Sequence, residues 1–541
     1  MKHAGQMLMR PFAATLALTI TSAVWGAETD SPLSQLSAEV FSAEDRVLAA
    51  EAIERDIQRR SAEVNTRNRQ LWAKVTSRPE WEAYRDERLA KLRASLGQFP
   101  PPPEKLNVRV TGTVTGDGFR IENLTYESRP GQWVPANLYL PLQPSDSMPG
   151  ILIAHAHHRD KPQVELQDMG MTWARAGCAV LVIDQVGYGE RRSHPFHSSA
   201  DYAGEFRVSR QDYYFRYDTG IQLQLIGDSL LRWMTAVLSR GVDLLLSRPG
   251  IDPKRILLLG AVAGGGDPAG VTAALDGRIA CVVPFNFGGP QPESRYPLPD
   301  DVETSFDLLS GSYWDSTRGL RLGGRDDFLH WVIVAGQAPR HLIHAHEFSW
   351  GGERDPVWRR YNRIWGDFYG EADRLGVAHG RGTLRGPQEE ATHCTNIGRV
   401  HRKMIHPLFA KWFDIQVTDA DEYSSPRPNQ DLISLTEAAR NELQPKHLTE
   451  LMSEIGDERI AAARRELESL STFVRPQLLR MRWTELLGPV EGSSPKVIQR
   501  TDPQPLPGLA ATRQTFVLEV EPDVAIPLIV LTPQHPAVPR T

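Results

Sequence analysis

The run Gly260-Ala261-Val262-Ala263-Gly264-Gly265-Gly266 stands where this chain should present a nucleophile, and it offers none. Before it comes Arg255-Ile256-Leu257-Leu258-Leu259, a short apolar stretch introduced by Asp252-Pro253-Lys254, as a buried parallel strand requires. After it, Asp267-Pro268 reads as the start of a small-residue helix through Ala273, Ala274 and Leu275, with Asp267 as its N-cap. A strand, a sharp small-residue turn and a helix make a nucleophile elbow, where Gly-x-Ser-x-Gly holds a strained, crowded serine. Here the slot holds Val262, whose side chain can neither attack nor be activated. Asp267 is the nearest substitute, since a carboxylate can attack carbon, although capping the helix already explains it. Ser229, in Gly227-Asp228-Ser229-Leu230, falls inside a long helical pattern from about Ile221 to Ser247 and is discounted. The glycine run still aims backbone N–H groups from a helix N-terminus, which suits a carboxylate or another anion.

The partners of a catalytic triad follow in the right order. His393 lies in a loop after a glycine-rich polar stretch and before an amphipathic helix, where it could act as a base. Asp355, in Gly351-Gly352-Glu353-Arg354-Asp355-Pro356, sits after a strand and before a helix, as an orienting acid must. The same position suits a helix N-cap with proline in the first turn. Glu347, at the end of the preceding strand, competes for the acid role. Two histidine clusters, His155-Ala156-His157-His158 and His344-Ala345-His346-Glu347, each set two imidazoles on one strand face. With two strands between them their axes would lie roughly 14 Å apart. No metal and no cofactor is therefore expected, and His155 is assigned to shaping the loop around an oxyanion.

Those residues need elements to hold them. From about Ser34 to Gly97 the chain is charged with helical spacing, and Ser77 precedes Pro79 as a helix start. From Val108 the pattern alternates: Phe119 to Glu127, a turn at Pro130-Gly131, then Val134 to Pro141, a pair of strands. Gly150 to Ala154, a helix around Thr172 to Ala176, and Ala179 to Asp184 follow. Later strands are Ala280 to Pro284 and His341 to Ala345. Strands alternating with helices predict a mostly parallel sheet covered on both faces.

The stretch Gly177 to Arg191, the Arg248 to Ile256 approach with Ala274 to Ile279, and Thr392-His393 with Arg399 and Leu408 to Phe413 resemble the α/β-hydrolase superfamily. Within it they are similar to secreted acetyl-xylan-esterase-like proteins. The resemblance covers about Val108 to Ile415. It implies an ester hydrolase acting on acylated polysaccharide, with His393 as base, Asp355 or Glu347 as acid, and an oxyanion loop of His155, Ala156, Tyr188, Ala263, Gly264 and Gly265. It departs at the nucleophile, where the family has Gly-x-Ser-x-Gly-Gly and this turn is one residue longer.

Lys2, Arg10 and the apolar run Phe12 to Trp25 before Gly26-Ala27 read as an export signal over residues 1–27. The run is short for a membrane span, and no later stretch is long and apolar enough. A net charge of −6 over 541 residues implies no nucleic-acid face. Of three cysteines, Cys178 and Cys281 sit in apolar strands and read as buried thiols rather than a disulfide framework. The organisation expected is a helical segment over 28–105, the hydrolase-like domain over 106–420, and a C-terminal region over 421–541. That last region either repeats the N-terminal layout, Arg475-Pro476 matching Arg78-Pro79, Glu521 matching Glu127 and Ile526 to Pro533 matching Val134 to Pro141, or is a small appended helix-and-strand accessory domain that needs no second copy. Two readings of function remain, an exported esterase of unidentified nucleophile and a catalytically silent binder of carbohydrate or of a partner domain; a metal-dependent hydrolase using the histidine clusters is a minor third.

Overall fold

The computed structural model describes residues 36–98, 103–157, 160–194, 198, 200, 208–289, 320, 322–382, 397–488, 494–522 and 524–534. The expected export signal, His158, His393 and Cys394 lie outside them. Two compact units form, Ile57–Val490 and a smaller one of Met1–Asp56 with Glu491–Thr541. The boundaries expected near residues 105 and 420 both fall inside the larger unit.

The charged N-terminal stretch forms α1 (Ala43–Ala73) and α2 (Arg78–Ser95). Ser77 takes the N-cap position of α2 with extended backbone, but its hydroxyl caps nothing. A three-strand meander follows, β1 (Arg109–Thr115), β2 (Phe119–Arg129) and β3 (Gln132–Pro141). Then β4 (Met148–Ala154), α3 (Val164–Arg175) and β5 (Ala179–Ile183) begin the alternating part, with α4 (Val208–Leu225) and α5 (Leu230–Leu246) leading to β6 (Ile251–Gly260). The single long helix expected up to Ser247 is therefore two. Gly227 turns with φ +74°, and Ser229 caps α5 by accepting from the Arg232 N–H while donating to the Leu96 carbonyl. Ser229 is thus a buried structural hydroxyl.

After β6 come α6 (Val262–Leu275), β7 (Cys281–Pro284), α7 (Gly323–Asp326), α8 (His330–Ala335), β8 (His341–His346), α9 (Pro356–Asn362), β9 (Leu375–His379) and α10 (Arg399–Phe413). The sheet order is β1-β2-β3-β5-β4-β6-β7-β8-β9. The six strands from β5 to β9 pair in parallel, while β1, β2 and β3 are antiparallel additions. Side chains alternate between two apolar layers. Ile256 and Leu258 face a core with α2, α5, α6 and α8; Leu257 and Leu259 face one with α3 and α10. This is the mixed, mostly parallel α/β sheet expected. Cys178 and Cys281 are free and buried as expected.

The larger unit closes with α11 (Glu437–Leu443), α12 (Leu448–Ser469) and α13 (Val474–Leu487). In the smaller unit β10 (Lys496–Arg500), β11 (Gln504–Pro505), β12 (Ala511–Glu521) and β13 (Val524–Pro533) form a second, antiparallel sheet.

The start of α6 corrects the sequence reading. Asp267 is not an N-cap: the cap is Ala261, Val262 is already the first helical residue, and Pro268 lies inside the helix. The glycines explain why. A Cβ on Gly264 would sit 2.2 Å from the His157 nitrogen, one on Gly265 2.3 Å from the Ala154 carbonyl, and one on Gly266 2.2 Å from the Phe285 carbonyl. The run therefore builds the first turns of the helix, lying backbone to backbone on the ends of β4 and β7, rather than a loop before it. Pro268 removes the N–H that would bond to the Gly264 carbonyl, so this end of the helix is held by docking more than by its own ladder.

Gly265→Ala should cost about 1–3 kcal/mol by overpacking, read as a lower denaturant midpoint. Gly277→Ala, with nothing within 4 Å of its added Cβ, should leave the midpoint in place. Equal midpoints for wild type and Gly265→Ala would mean that α6 does not sit on β4.

Candidate functional site at the carboxyl ends of the parallel strands

Strand β4 is the switch point of the sheet, because the chain leaves it for β5 on one side and later returns to β6 on the other. Ligands of open α/β sheets bind beyond the carboxyl ends of the strands at such a point. His155 and Ala156 follow β4, Tyr188 follows β5, Val262 to Gly265 follow β6, and Glu347 and Asp355 follow β8. These residues lie at the carboxyl ends of the strands, whereas Asp267 lies in the body of α6. Ala263, Gly264 and Gly265 belong to the first turn of α6.

His155 is fixed by its neighbours. Its Nδ1–H donates to the Ala156 carbonyl at 2.7 Å, and its Nε2 accepts the Gln185 N–H at 2.9 Å. Both nitrogens are engaged, so His155 ties the loop after β4 to the loop after β5 and cannot ligate a metal. Burial, opposed by the bond to Ala156, holds its pKa at about 3. The Tyr188 ring meets it edge-on at 5.5 Å. Asp184 organises the same loops by accepting the N–H groups of Lys161 and Glu190. Burial pushes its carboxyl up to about 7 against the pull of Lys161. A cleft borders this loop, lined by Trp133, Arg191, Arg440 and Lys446 among others. Its cations are engaged already, Arg191 with the Asp184 carbonyl, Arg440 with the Glu190 carbonyl and Lys446 with Glu454.

Across the elbow, Asn286 links β7 to β8. Its N–H reaches the Ala345 carbonyl, its amide donates to Glu347 Oε2 at 3.0 Å, and its side-chain oxygen accepts the Glu347 N–H at 3.0 Å. The residue has φ 55°, a left-handed conformation that asparagine tolerates better than most residues. His401 clamps the Glu347 backbone from the start of α10: its Nε2–H donates to the Glu347 carbonyl while its Nδ1 accepts the Gly398 N–H. Neither Asn286 nor His401 was legible as a site residue, because each acts on backbone far away in sequence.

The carboxylate of Asp355 is fully occupied. One oxygen accepts the N–H groups of Val357 and Trp358, so the residue caps α9. The other accepts the Trp350 indole N–H at 2.9 Å and lies 3.3 Å from His344 Nε2. His346 Nε2 is 3.0 Å from the same atom of His344. The two sequence clusters therefore do not converge: β6 and β7 separate β4 from β8. Instead His344 and His346 meet Asp355. Burial outweighs all else in holding His346 well below the ordinary histidine value.

Burial likewise holds His401 at about 4, against a smaller opposite effect of its bond to Glu347. The folded pKa lies below the unfolded value of about 6.5, so the unfolded chain binds the proton more readily. Stability from this residue is complete above pH 6.5 and is lost as pH falls toward 4. The stability advantage of wild type over His401→Gln should shrink by up to about 1.4 kcal/mol per pH unit across that window, measured by urea midpoints. Asp184 titrates with the opposite sign, but equally in both proteins. A gap independent of pH would show that His401 is not held neutral.

The fold has counterparts among solved structures. The methylesterase BT1017 superposes with a TM-score of 0.50 at 18% identity, over 75% of this chain and 81% of its own. A Bacteroides fragilis protein described as a candidate acetyl xylan esterase gives 0.46 at 16%, over 62% and 89%. The glucuronoyl esterase from Solibacter usitatus gives 0.38 at 16%, over 59% and 91%. No protein-family model and no curated protein matches the chain. Among the described residues no helix is long and apolar enough to cross a membrane.

Proposed function

We propose that this chain is an exported, carbohydrate-esterase-like protein that receives an ester-bearing glycan beyond the carboxyl ends of β4, β6 and β7, without forming a serine acyl-enzyme. The observation that carries this reading is the docking of α6 on Ala154, His157 and Phe285. It brings the N-terminal turn of a 14-residue helix to the switch point, where backbone N–H groups suit a carbonyl or carboxylate oxygen. The fold shared with a methylesterase supports ester chemistry.

His393 remains the proposed base. Glu347 is favoured over Asp355 as its acid, because Asp355 already serves four donors and neighbours, whereas Glu347 is held at the end of β8 beside Asn286. Asp267 is disfavoured as nucleophile by its place in the body of α6 rather than at its tip.

The sequence at the elbow favours binding over turnover. A triad without its nucleophile loses about 10⁶ in kcat. Purified protein should hydrolyse p-nitrophenyl acetate and acetylated xylan at no more than that residual level, carry no fluorophosphonate adduct in the 260–266 peptide, and still be retarded by acetylated xylan in affinity electrophoresis. Rapid hydrolysis that survives His393→Ala would overturn this assignment, as would the absence of any glycan binding.

The C-terminal region is proposed to repeat the N-terminal layout. Both α1, α2, β1, β2, β3 and α12, α13, β10, β12, β13 run helix, helix and antiparallel strands. Thr125 pairs with Pro135, and under one numbering offset Val517 pairs with Pro527.

A further inference from the structure

We propose that His344, His346 and Asp355 form a binding site for one divalent transition-metal ion of the zinc type. Successive inward-facing positions of β8 supply the two imidazoles, since residues i and i+2 of a strand share a face. The N-cap of α9 supplies the carboxylate. All three side chains are buried, and their ligand atoms lie within 4.8 Å of one another.

The distances within the cluster fit the ligand spacing of a bound ion. Zinc bonded at about 2.0–2.1 Å in a tetrahedron sets its ligand atoms about 3.3 Å apart. His344 Nε2 stands 3.0 Å from His346 Nε2 and 3.3 Å from Asp355 Oδ2, so one edge has that length and the other is close to it. A neutral His344 has one N–H, and its Nδ1 is buried with no hydrogen-bond partner among the described residues. With the proton on Nε2, Nδ1 is a buried acceptor without a donor. With the proton on Nδ1, the Nε2 lone pair faces another imidazole nitrogen and a carboxylate. A cation between the three would accept the two Nε2 lone pairs and the carboxylate together, with the His344 proton on Nδ1.

The surroundings hold the ligands in place, as supporting groups at metal sites do. Asp355 is locked by two backbone N–H groups and the Trp350 indole. His346 stacks on Trp350 at 5.3 Å and His344 on Trp358 at 5.9 Å. The chain after β7 passes directly over the cluster: a Cβ on Gly289 would lie 2.7 Å from His344 Nε2. Two imidazoles and a carboxylate are the donor set of a zinc or related first-row ion, not of calcium or magnesium. The cluster adjoins Glu347, the acid of the ester-binding reading, but shares no ligand with the residues that reading assigns.

The full-length protein, stripped with a chelator and then dialysed against zinc, should retain about one equivalent after gel filtration by elemental analysis. Cobalt should give visible ligand-field absorption typical of a four-coordinate nitrogen and oxygen site. His346→Gln should weaken zinc binding at least about 100-fold and abolish the zinc-dependent rise in melting temperature, while His447→Gln, at an exposed position, should change neither. Retention of no zinc by wild type, or equal retention by wild type and His346→Gln, overturns the proposal. If His346→Gln fails to fold, the cobalt spectrum of the wild type decides, and no visible bands would sink it. These readouts are metal content and spectra, so their failure is distinguishable from a failure of glycan binding.

Discussion

Backbone packed directly on backbone at the start of α6 is the constraint on which this architecture rests. Gly264, Gly265 and Gly266 let the helix touch the ends of β4 and β7 with no side chain between, and Gly260 leaves the same clearance beneath Gly265. Ordinary residues there would lift the helix away from the sheet and remove the anchor for Ala154–His157 and Phe285. Three strand ends and one helix start thereby become a single rigid edge. Because the contact is made by backbone, it holds whatever side chain stands at position 262.

Two polar devices extend that edge sideways. On one flank His155 and Asp184 stitch the loops after β4 and β5 through bonds to backbone N–H and carbonyl groups. On the other, Asn286 and His401 fix Glu347 through the same kind of bond. Both imidazoles are neutral because each donates one N–H and accepts another. Such groups position the site, and they make stability sensitive to acid. Beyond Glu347 the character changes: His344, His346 and Asp355 converge inside a cage of Trp350, Trp358 and Tyr361, the cluster proposed to hold an ion.

Much of the fold was legible from periodicity. The apolar runs at Gly150, Ala179, Leu257 and Cys281 became strands because a sheet covered on both faces leaves no place for polar alternation. The α6 boundary was not legible. Asp-Pro is a strong local start signal, and it lost to the tertiary docking that glycine alone permits. The break at Gly227-Asp228-Ser229 was hidden for a similar reason, since its Ser229 cap is completed by the distant Leu96 carbonyl. At the site, both acids could be named from the loop after β8, but their roles could not. Asp355 meets His344 eleven residues back, whereas Glu347 is governed by Asn286, sixty-one residues away. The spacing His344-Ala345-His346 announced a shared face; the third donor came from across a loop.

Hydrogen–deuterium exchange with and without acetylated xylan tests the central claim most directly, because it reports where the glycan sits without requiring turnover. Slower exchange confined to peptides spanning 154–157, 260–266, 285–288 and 346–347 is the predicted result. Protection elsewhere with these four unchanged, or no protection at any concentration, would contradict the assignment of the ligand to this edge of the sheet.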